Sequence, residues 1–335
     1  MKNLYKLMFT TTMVTGTLIA ISSNSWISMW MGLEMNLLSI IPLMSNMKNK
    51  MESEAAMKYF ITQAMASTIF MLSIIIMLSN NDTLTSKKLS SIILDMAVLT
   101  KMGAAPFHFW FPEVMEGLSW MNSMIMLTWQ KIAPMAIMMY TIKPLMFMTT
   151  IIIMSMLVSG IMGINQTSLR KILTFSSINH IGWMIGAMLT NQTLWLTYFI
   201  IYSIMTINMT MMFKLMNISH VSQLINSMNQ SKTVKILFSV NFLSLGGIPP
   251  FIGFFPKWIT INSLITEEMY LLTLTMIVMT LMTLVFYMRI MFTSGIMTTS
   301  EAAMKSNNKH NQTLMISNFT VLSVLSACPL MISFI

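Results

Sequence analysis

Long apolar runs constrain the fold of this chain more than any other feature of its sequence. A helix needs about 20 apolar residues to cross the hydrocarbon core of a bilayer. Inside that core the backbone must satisfy its own hydrogen bonds, which favours helices. We therefore predict an all-α polytopic membrane protein with about eleven transmembrane helices. The eleven runs lie at residues 4–21, 25–46, 56–79, 85–116, 121–142, 147–165, 171–190, 192–216, 232–267, 270–293 and 312–335.

Charged residues are scarce, which leaves little mass outside the membrane. Asp, Glu, Lys and Arg make up 9% of the 335 residues, against about 25% in soluble domains. The formal net charge of +9 could indicate nucleic-acid binding, but the basic residues are scattered at the ends of the apolar runs. We therefore expect phospholipid contacts and no nucleic-acid partner.

The sequence predicts no cofactor or metal within this chain. Its single cysteine, Cys328, excludes an internal disulfide and an iron–sulfur cluster held by this chain alone. No histidine pair has the spacing of a zinc site, and no glycine-rich phosphate loop is present.

The distribution of basic residues predicts the orientation in the membrane. The N-terminus and every second loop after it hold thirteen of the nineteen Lys and Arg residues, whereas the opposite side holds three. Because basic loops stay on the side of synthesis, the N-terminus is predicted on that side. An odd number of spans then puts the C-terminus across the membrane.

Two of the runs carry a lysine and are interrupted by prolines. Residues 99–113 read LTKMGAAPFHFWFPE, and residues 245–259 read LGGIPPFIGFFPKWI. Proline has no N–H, so Pro106 frees the carbonyl four positions before it. Backbone freed at membrane depth is tolerated where protein or trapped water satisfies it. We predict broken helices at Gly103–Pro106 and Gly246–Pro250, and two such lysine-bearing helices suggest two related halves.

Four ionisable residues lie near the middle of predicted spans. They are Glu34, Lys101, Lys131 and Lys257. Each would cost about 3 kcal/mol if it faced lipid, so we expect these groups to pair, to lose their charge or to contact water. One acid cannot pair with three bases, which favours a lysine that loads and releases a proton. The alternative is a structural ion pair with lysines that reach toward the interface.

Two histidines and one aspartate are weaker candidates. His180, in FSSINHIGWM, could relay protons or could equally be a satisfied core histidine. His108 follows the predicted break and is expected to line the site. Asp95 lies six residues before Lys101 and so on another face of its helix. That leaves an interface or access-path role open for Asp95, and it is not included among the proton-transfer residues.

With these residues in view, the chain resembles the antiporter-like membrane subunits of respiratory complex I. The motifs that carry the resemblance are WMGLEMN around Glu34, KMGAAPFHFWFPEV from Lys101, TWQKIAP around Lys131, SSINHIGWM around His180, and GGIPPFIGFFPKW ending at Lys257. The resemblance covers nearly the whole chain.

The resemblance implies two inverted five-helix repeats with one broken helix each, followed by a C-terminal helix. Here the repeats would be residues 1–146 and 147–293, and residues 294–335 would form a loop and the last span. Family roles carry over by position to four residues. They would make Glu34 and Lys101 the charged pair of a first half-channel, Lys131 the central lysine and Lys257 the distal one.

The resemblance also implies a function, a set of partners and a location. The chain would be a proton-translocating subunit of an NADH:ubiquinone reductase in the inner mitochondrial membrane, with its N-terminus in the matrix and its C-terminus in the intermembrane space. NADH, FMN, iron–sulfur clusters and ubiquinone would bind in partner subunits. Two alternatives remain open: a free-standing cation/proton antiporter, and a passive structural subunit of the membrane part.

Overall fold

Helices are the regular elements of the chain wherever its structure is described. The computed structural model describes residues 2–46, 49–79, 84–141, 145–228, 232–249 and 251–296. Apart from these helices, the described residues contain an isolated β-bridge between Ser168 and His220. The predicted last span, 312–335, lies outside the described residues.

Fourteen helices occur within the described ranges. They are α1 (Lys2–Ser22), α2 (Trp26–Met44), α3 (Lys50–Ser79), α4 (Leu84–Met102), α5 (Trp110–Gly117), α6 (Trp120–Leu127), α7 (Trp129–Tyr140), α8 (Leu145–Ile164), α9 (Leu169–Thr190), α10 (Gln192–Met216), α11 (Val221–Met228), α12 (Lys232–Gly246), α13 (Phe254–Thr266) and α14 (Tyr270–Ile296).

These helices account for the first ten predicted spans. Seven of the described helices are long and apolar enough to cross a membrane alone: α1, α2, α3, α8, α9, α10 and α14. Each of the other three spans consists of two consecutive helices, namely α4 with α5, α6 with α7, and α12 with α13. The short α11 lies between spans. The prediction of an all-helical polytopic membrane fold is confirmed.

The chain forms two compact units, one of residues 1–151 and one from residue 152 onward. In the first unit, α1 packs along α2, α3 packs along α4, and α7 lies against α4. In the second unit, α9 packs against α10 and α13, and α12 packs against α14. That the two halves are inverted repeats with boundaries at residues 146 and 293 stays a prediction.

Two broken spans end their first helices in the same way. Gly103 follows α4 with φ 74°, and Gly247 follows α12 with φ 78°. The Gly103 N–H donates to the carbonyl of Leu99 at 3.0 Å, and the Gly247 N–H donates to that of Leu243 at 3.0 Å. A left-handed residue that bonds back to the last turn is a common helix terminator, and glycine adopts it without a steric penalty. The predicted interruption of both spans is confirmed, although Pro250 itself lies outside the described residues.

Corresponding positions in the two breaks are separated by the same number of residues. Gly247 follows Gly103 by 144 positions, and the helix after each break begins at Trp110 and at Phe254, again 144 positions apart. A constant displacement is what a duplicated segment produces, and it supports the prediction of two related halves.

A third interruption, between α6 and α7, was not predicted from the sequence. The backbone of Thr128 departs from helical geometry, with φ −113° and ψ −72°. Its hydroxyl donates to the carbonyl of Met124 at 2.8 Å. Threonine competes for backbone carbonyls in this way wherever it occurs in a helix, so a single threonine gives no sequence signal for a break.

Candidate functional site

The three lysines predicted at membrane depth are buried in protein. Lys101 is 7% exposed, Lys131 is 2% exposed and Lys257 is 5% exposed. Lys101 and Lys131 lie in the first unit together with the half-buried Glu34, and Lys257 lies in the second. The three lysines thus avoid exposure to lipid, as expected from the cost of a charged group in the hydrocarbon core.

Lys101 occupies the last turn of α4, directly before the break. Glu34 lies on α2 in the same unit, and the ion pairs among the described residues do not include one between Glu34 and Lys101. A cavity of about 10 Å³ beside Lys101 is also lined by Asn36, Tyr59 and Gln130. About that much space holds one water molecule. The first unit therefore provides a small polar chamber between α2, α3, α4 and α7.

Two amide side chains position α7 next to this chamber. Asn36 Nδ2 donates to Gln130 Oε1 at 3.0 Å, and Gln130 Nε2 donates to Asn36 Oδ1 at 2.9 Å. The Tyr59 hydroxyl lies 3.4 Å from the same Gln130 oxygen. Because Gln130 directly precedes Lys131, this reciprocal pair fixes the start of the helix that carries Lys131.

Lys131 faces the aromatic ring of Phe111, which lies on the helix after the break of span 4. Its Nζ lies 5.8 Å from the centroid of the Phe111 ring, on α5. A Cβ at Gly103 would come within 3.2 Å of three side-chain atoms of Phe111. Glycine at the break thus allows Phe111 to pack close to the chain and to face the Lys131 ammonium, an arrangement that favours a cation.

Lys257 satisfies a carbonyl at the break of span 9. Its Nζ donates to the carbonyl of Gly246 at 2.8 Å and lies 6.0 Å from the centroid of a Trp183 ring. Pro250 has no N–H and cannot serve that carbonyl as the fourth residue along a helix would. A Cβ at Gly247 would lie 2.7 Å from the Lys257 Nζ, and the φ of 78° at this position favours glycine as well.

Both candidate histidines are buried, and each has a near polar neighbour. His108 Nδ1 lies 3.3 Å from the carbonyl of Pro106, within the break of span 4. His180 Nδ1 lies 2.9 Å from the Tyr198 hydroxyl, and its ring centroid lies 5.0 Å from that of Tyr202. The two tyrosines were not identified from the sequence. Whether either histidine carries a proton stays a prediction.

Asp95 is a buried acid that the sequence-based count of buried ionisable groups left out. It is 0% exposed, and the Thr141 hydroxyl donates to its Oδ1 at 2.7 Å. The face of α4 that carries Asp95 therefore lies beside the C-terminal end of α7. The count of one deep acid against three deep bases was wrong, since the first unit contains both Glu34 and the more deeply buried Asp95.

Glu113 lies in the first turn of α5. Its carboxylate is 3.0 Å from Lys58 Nζ, which also pairs with Glu54 at 3.1 Å. All three side chains are exposed to solvent.

Within the described ranges, no group of three or more His, Cys, Asp or Glu side chains could hold a metal ion.

Comparison with known proteins identifies the family. Residues 23–283 match the family model described as NADH:quinone oxidoreductase/Mrp antiporter, TM. NADH-ubiquinone oxidoreductase chain 2 of Anopheles gambiae is 45% identical over 322 residues, which cover 95% of this chain and 94% of the relative. The same subunit of Locusta migratoria is 44% identical over 329 residues, covering 98% and 96%.

Solved structures share the fold at low sequence identity. A chain of respiratory complex I from Thermus thermophilus has a TM-score of 0.85 and 20% identity, with 96% of this chain and 78% of that chain covered. A chain of the Mrp complex from Dietzia sp. DQ12-45-1b has a TM-score of 0.76 and 17% identity, with 89% and 62% covered.

The relatives and the fold confirm what the motifs predicted. The prediction of a proton-translocating membrane subunit of respiratory complex I, part of an H⁺-translocating oxidoreductase, is confirmed at the level of the family. The chain belongs to the NADH:quinone oxidoreductase/Mrp antiporter family and, within it, to the NADH-ubiquinone oxidoreductase chain 2 subunits.

Proposed function

We propose that Glu34, Lys101, Lys131 and Lys257 carry protons through this subunit. The observation that supports the proposal most directly is the burial of three lysines, none more than 7% exposed, in a chain built of apolar helices. Two of them adjoin interrupted helices, where carbonyl groups and a water-sized cavity offer hydrogen-bond partners. Buried basic groups beside opened helices are typical of proton and ion pathways.

The switch in this proposal is an exchange of partners in the first unit. While Glu34 holds Lys101, its carboxylate acts less on Lys131, which then releases its proton more readily. When the pair opens, Glu34 favours a charged Lys131. A tenfold change in proton affinity corresponds to about 1.4 kcal/mol, which is attainable between charges several ångströms apart in a poorly screened interior. Lys257 is the distal proton carrier, and His108 and His180 are secondary relay candidates.

Partners and location follow from the relatives' names. We infer that this chain works in the inner mitochondrial membrane beside other membrane and peripheral subunits of complex I. Those subunits hold the NADH site, FMN, the iron–sulfur clusters and the ubiquinone site, and this chain holds none of them. Large apolar side chains remain exposed on its helices, among them Met146 at 85% and Leu271 at 79%. In the membrane these side chains contact phospholipid or neighbouring subunits.

Replacement of Glu34 by glutamine tests the switch. Glutamine keeps the size of the side chain but removes the negative charge that the proposed switch requires. We expect the Glu34→Gln complex to assemble and to pump about tenfold more slowly or worse, since positioned proton-transfer groups contribute roughly 100-fold or more to the steps they serve. The measurement is NADH-driven proton uptake or release in sealed vesicles.

The matched control is Glu267→Gln, which removes one exposed acid in the turn after α13. That variant should pump like the parent. Parent-like pumping by a fully assembled Glu34→Gln complex would remove Glu34 from the proposed switch.

The alternative of a free-standing cation/proton antiporter shares its fold with a chain of the Mrp complex, whereas the relatives named NADH-ubiquinone oxidoreductase chain 2 favour the complex I subunit. Purification in mild detergent separates the two functions. A complex I subunit copurifies with NADH-oxidising activity in a large assembly. An antiporter purifies without that activity and exchanges Na⁺ or K⁺ for protons in vesicles.

The orientation can be tested by limited proteolysis of membranes opened on the outer side. The excess of basic residues predicts that residues 48–58 face the matrix and that residues 83–88 face the intermembrane space. A protease added outside should therefore cut within 83–88 and leave 48–58 intact. Cleavage within 48–58 with 83–88 intact would reverse the proposed topology.

A further inference from the structure

Asp95 is a buried titratable group that the switch proposed above does not use. It lies on α4, the helix that carries Lys101, and it contacts Thr141, directly after the end of α7, the helix that carries Lys131. Its side chain thus connects the two helices on which the first unit holds its lysines. A carboxyl group that is 0% exposed needs either hydrogen-bond donors for its charge or a proton.

The hydrogen bonds at Thr141 are compatible with both protonation states of Asp95. Thr141 Oγ1 lies 2.7 Å from Asp95 Oδ1 and 2.9 Å from the carbonyl oxygen of Met138. A threonine hydroxyl has a single hydrogen. When Asp95 is ionised, that hydrogen goes to the carboxylate.

When Asp95 is protonated, both contacts become hydrogen bonds at the same time. The carboxyl O–H then donates to Thr141 Oγ1, and the Thr141 hydroxyl donates to the Met138 carbonyl. Thr141 therefore offers an acceptor to the neutral acid and a donor to the carboxylate, both at Oδ1 of Asp95. Rotation of one hydroxyl converts one arrangement into the other.

Asp95 lies closer than Lys101 to the start of α4, and Thr141 lies at the end of α7. Asp95 precedes Lys101 by six residues, about 9 Å of helical rise, and Thr141 follows Lys131 by ten residues, about 15 Å. Both displacements point toward the start of α4 and the end of α7, which the proposed topology places at the intermembrane space. The buried Ser91 lies one turn farther in the same direction, on the same face of α4 as Asp95.

We propose that Asp95 is a further proton-carrying group of the first unit, on the outer side of Lys101 and Lys131. An N–H bond of a lysine ammonium breaks, the nitrogen keeps the electron pair, and an O–H bond forms on the Asp95 carboxylate by way of water. The carboxyl group later releases the same proton toward the outer face. This inference rests on the proposed function of the lysines.

An infrared difference spectrum of the purified complex tests the protonated state directly. A protonated carboxylic acid has a carbonyl-stretch band that a carboxylate lacks. We expect such a band in the parent during NADH-driven turnover, its loss in Asp95→Asn, and its retention in the Glu267→Gln control. Absence of any band that depends on Asp95 would overturn the proposal.

Thr141 variants separate a proton-carrying role from a packing role. Thr141→Val keeps the shape of the side chain but removes the hydroxyl, so the Asp95 band should shift and pumping should fall at least severalfold. Thr141→Ser restores the hydroxyl and should restore both. Parent-like band and pumping in Thr141→Val would overturn the hydroxyl relay.

Pumping by Asp95→Asn distinguishes this inference from the function on which it rests. We expect an assembled complex with pumping reduced about tenfold or more. Parent-like pumping by Asp95→Asn, together with loss of pumping in Lys131→Met, would remove Asp95 alone and leave the lysine pathway in place. Normal pumping in both variants would overturn the pathway itself.

Discussion

A Lys131→Met variant is expected to assemble normally and to lose nearly all proton transfer through this subunit. Methionine fills a similar volume and packs well against the Phe111 ring, which lies 5.8 Å from the lysine nitrogen. It cannot hold a proton. A positioned proton-transfer group accelerates the step it serves by roughly 100-fold or more. The part of NADH-driven pumping in sealed vesicles that passes through this subunit should therefore fall by about that factor.

Two further lysine variants make the result specific. Lys131→Arg should also fail, because arginine keeps its proton under all working conditions. Lys214→Met, which removes an exposed lysine in the last turn of α10, should pump like the parent. Normal pumping by a fully assembled Lys131→Met complex would end the idea of a proton-carrying lysine and would favour a structural role for the subunit.

A Gly253→Ala variant is expected to prevent stable assembly. A Cβ at Gly253 would overlap the carbonyl oxygen of Ser244 and would lie 2.8 Å from its carbonyl carbon. Both are backbone atoms at the end of α12, so α12 and α13 would have to separate. Overpacking of a well-filled interior typically costs 1–3 kcal/mol. We expect a loss of about 3 kcal/mol or more here, because no side chain can rotate away.

The same break provides a matched glycine control. A Cβ at Gly246 would lie 3.7 Å from Cδ2 of Tyr287, which is an ordinary contact. Gly246→Ala should therefore assemble and melt like the parent, while Gly253→Ala should give little assembled complex on a native gel. Equal amounts of both variants in the assembled complex, with equal melting temperatures, would contradict the backbone contact seen at Gly253.

Much of the fold was predictable because membrane insertion leaves clear marks on a sequence. Apolar runs of fixed length predicted the spans, and prolines after glycine predicted both breaks that begin at Gly103 and Gly247. The break at Thr128 was not predictable, since its threonine–carbonyl bond is equally available to threonines in unbroken helices.

The site was less predictable, because the partners of buried groups come from distant parts of the chain. Periodicity places Asp95 on a different face from Lys101, but it does not say which helix covers that face. Only helix packing shows that α7 covers it and that Thr141 lies there. The contact of Asn36 with Gln130, across 94 residues, was hidden for the same reason.

The bond between Lys257 and the carbonyl of Gly246 ties a charge to the shape of the backbone. Hydrogen bonds with an ionised donor are roughly twice as strong as neutral ones. A charged Lys257 therefore holds α13 to the end of α12 more strongly than a neutral Lys257 does. In the proposed pathway, a proton that reaches Lys257 would strengthen this bond, and its departure would weaken it. The strength with which α12 is held to α13 would therefore depend on whether Lys257 carries its proton.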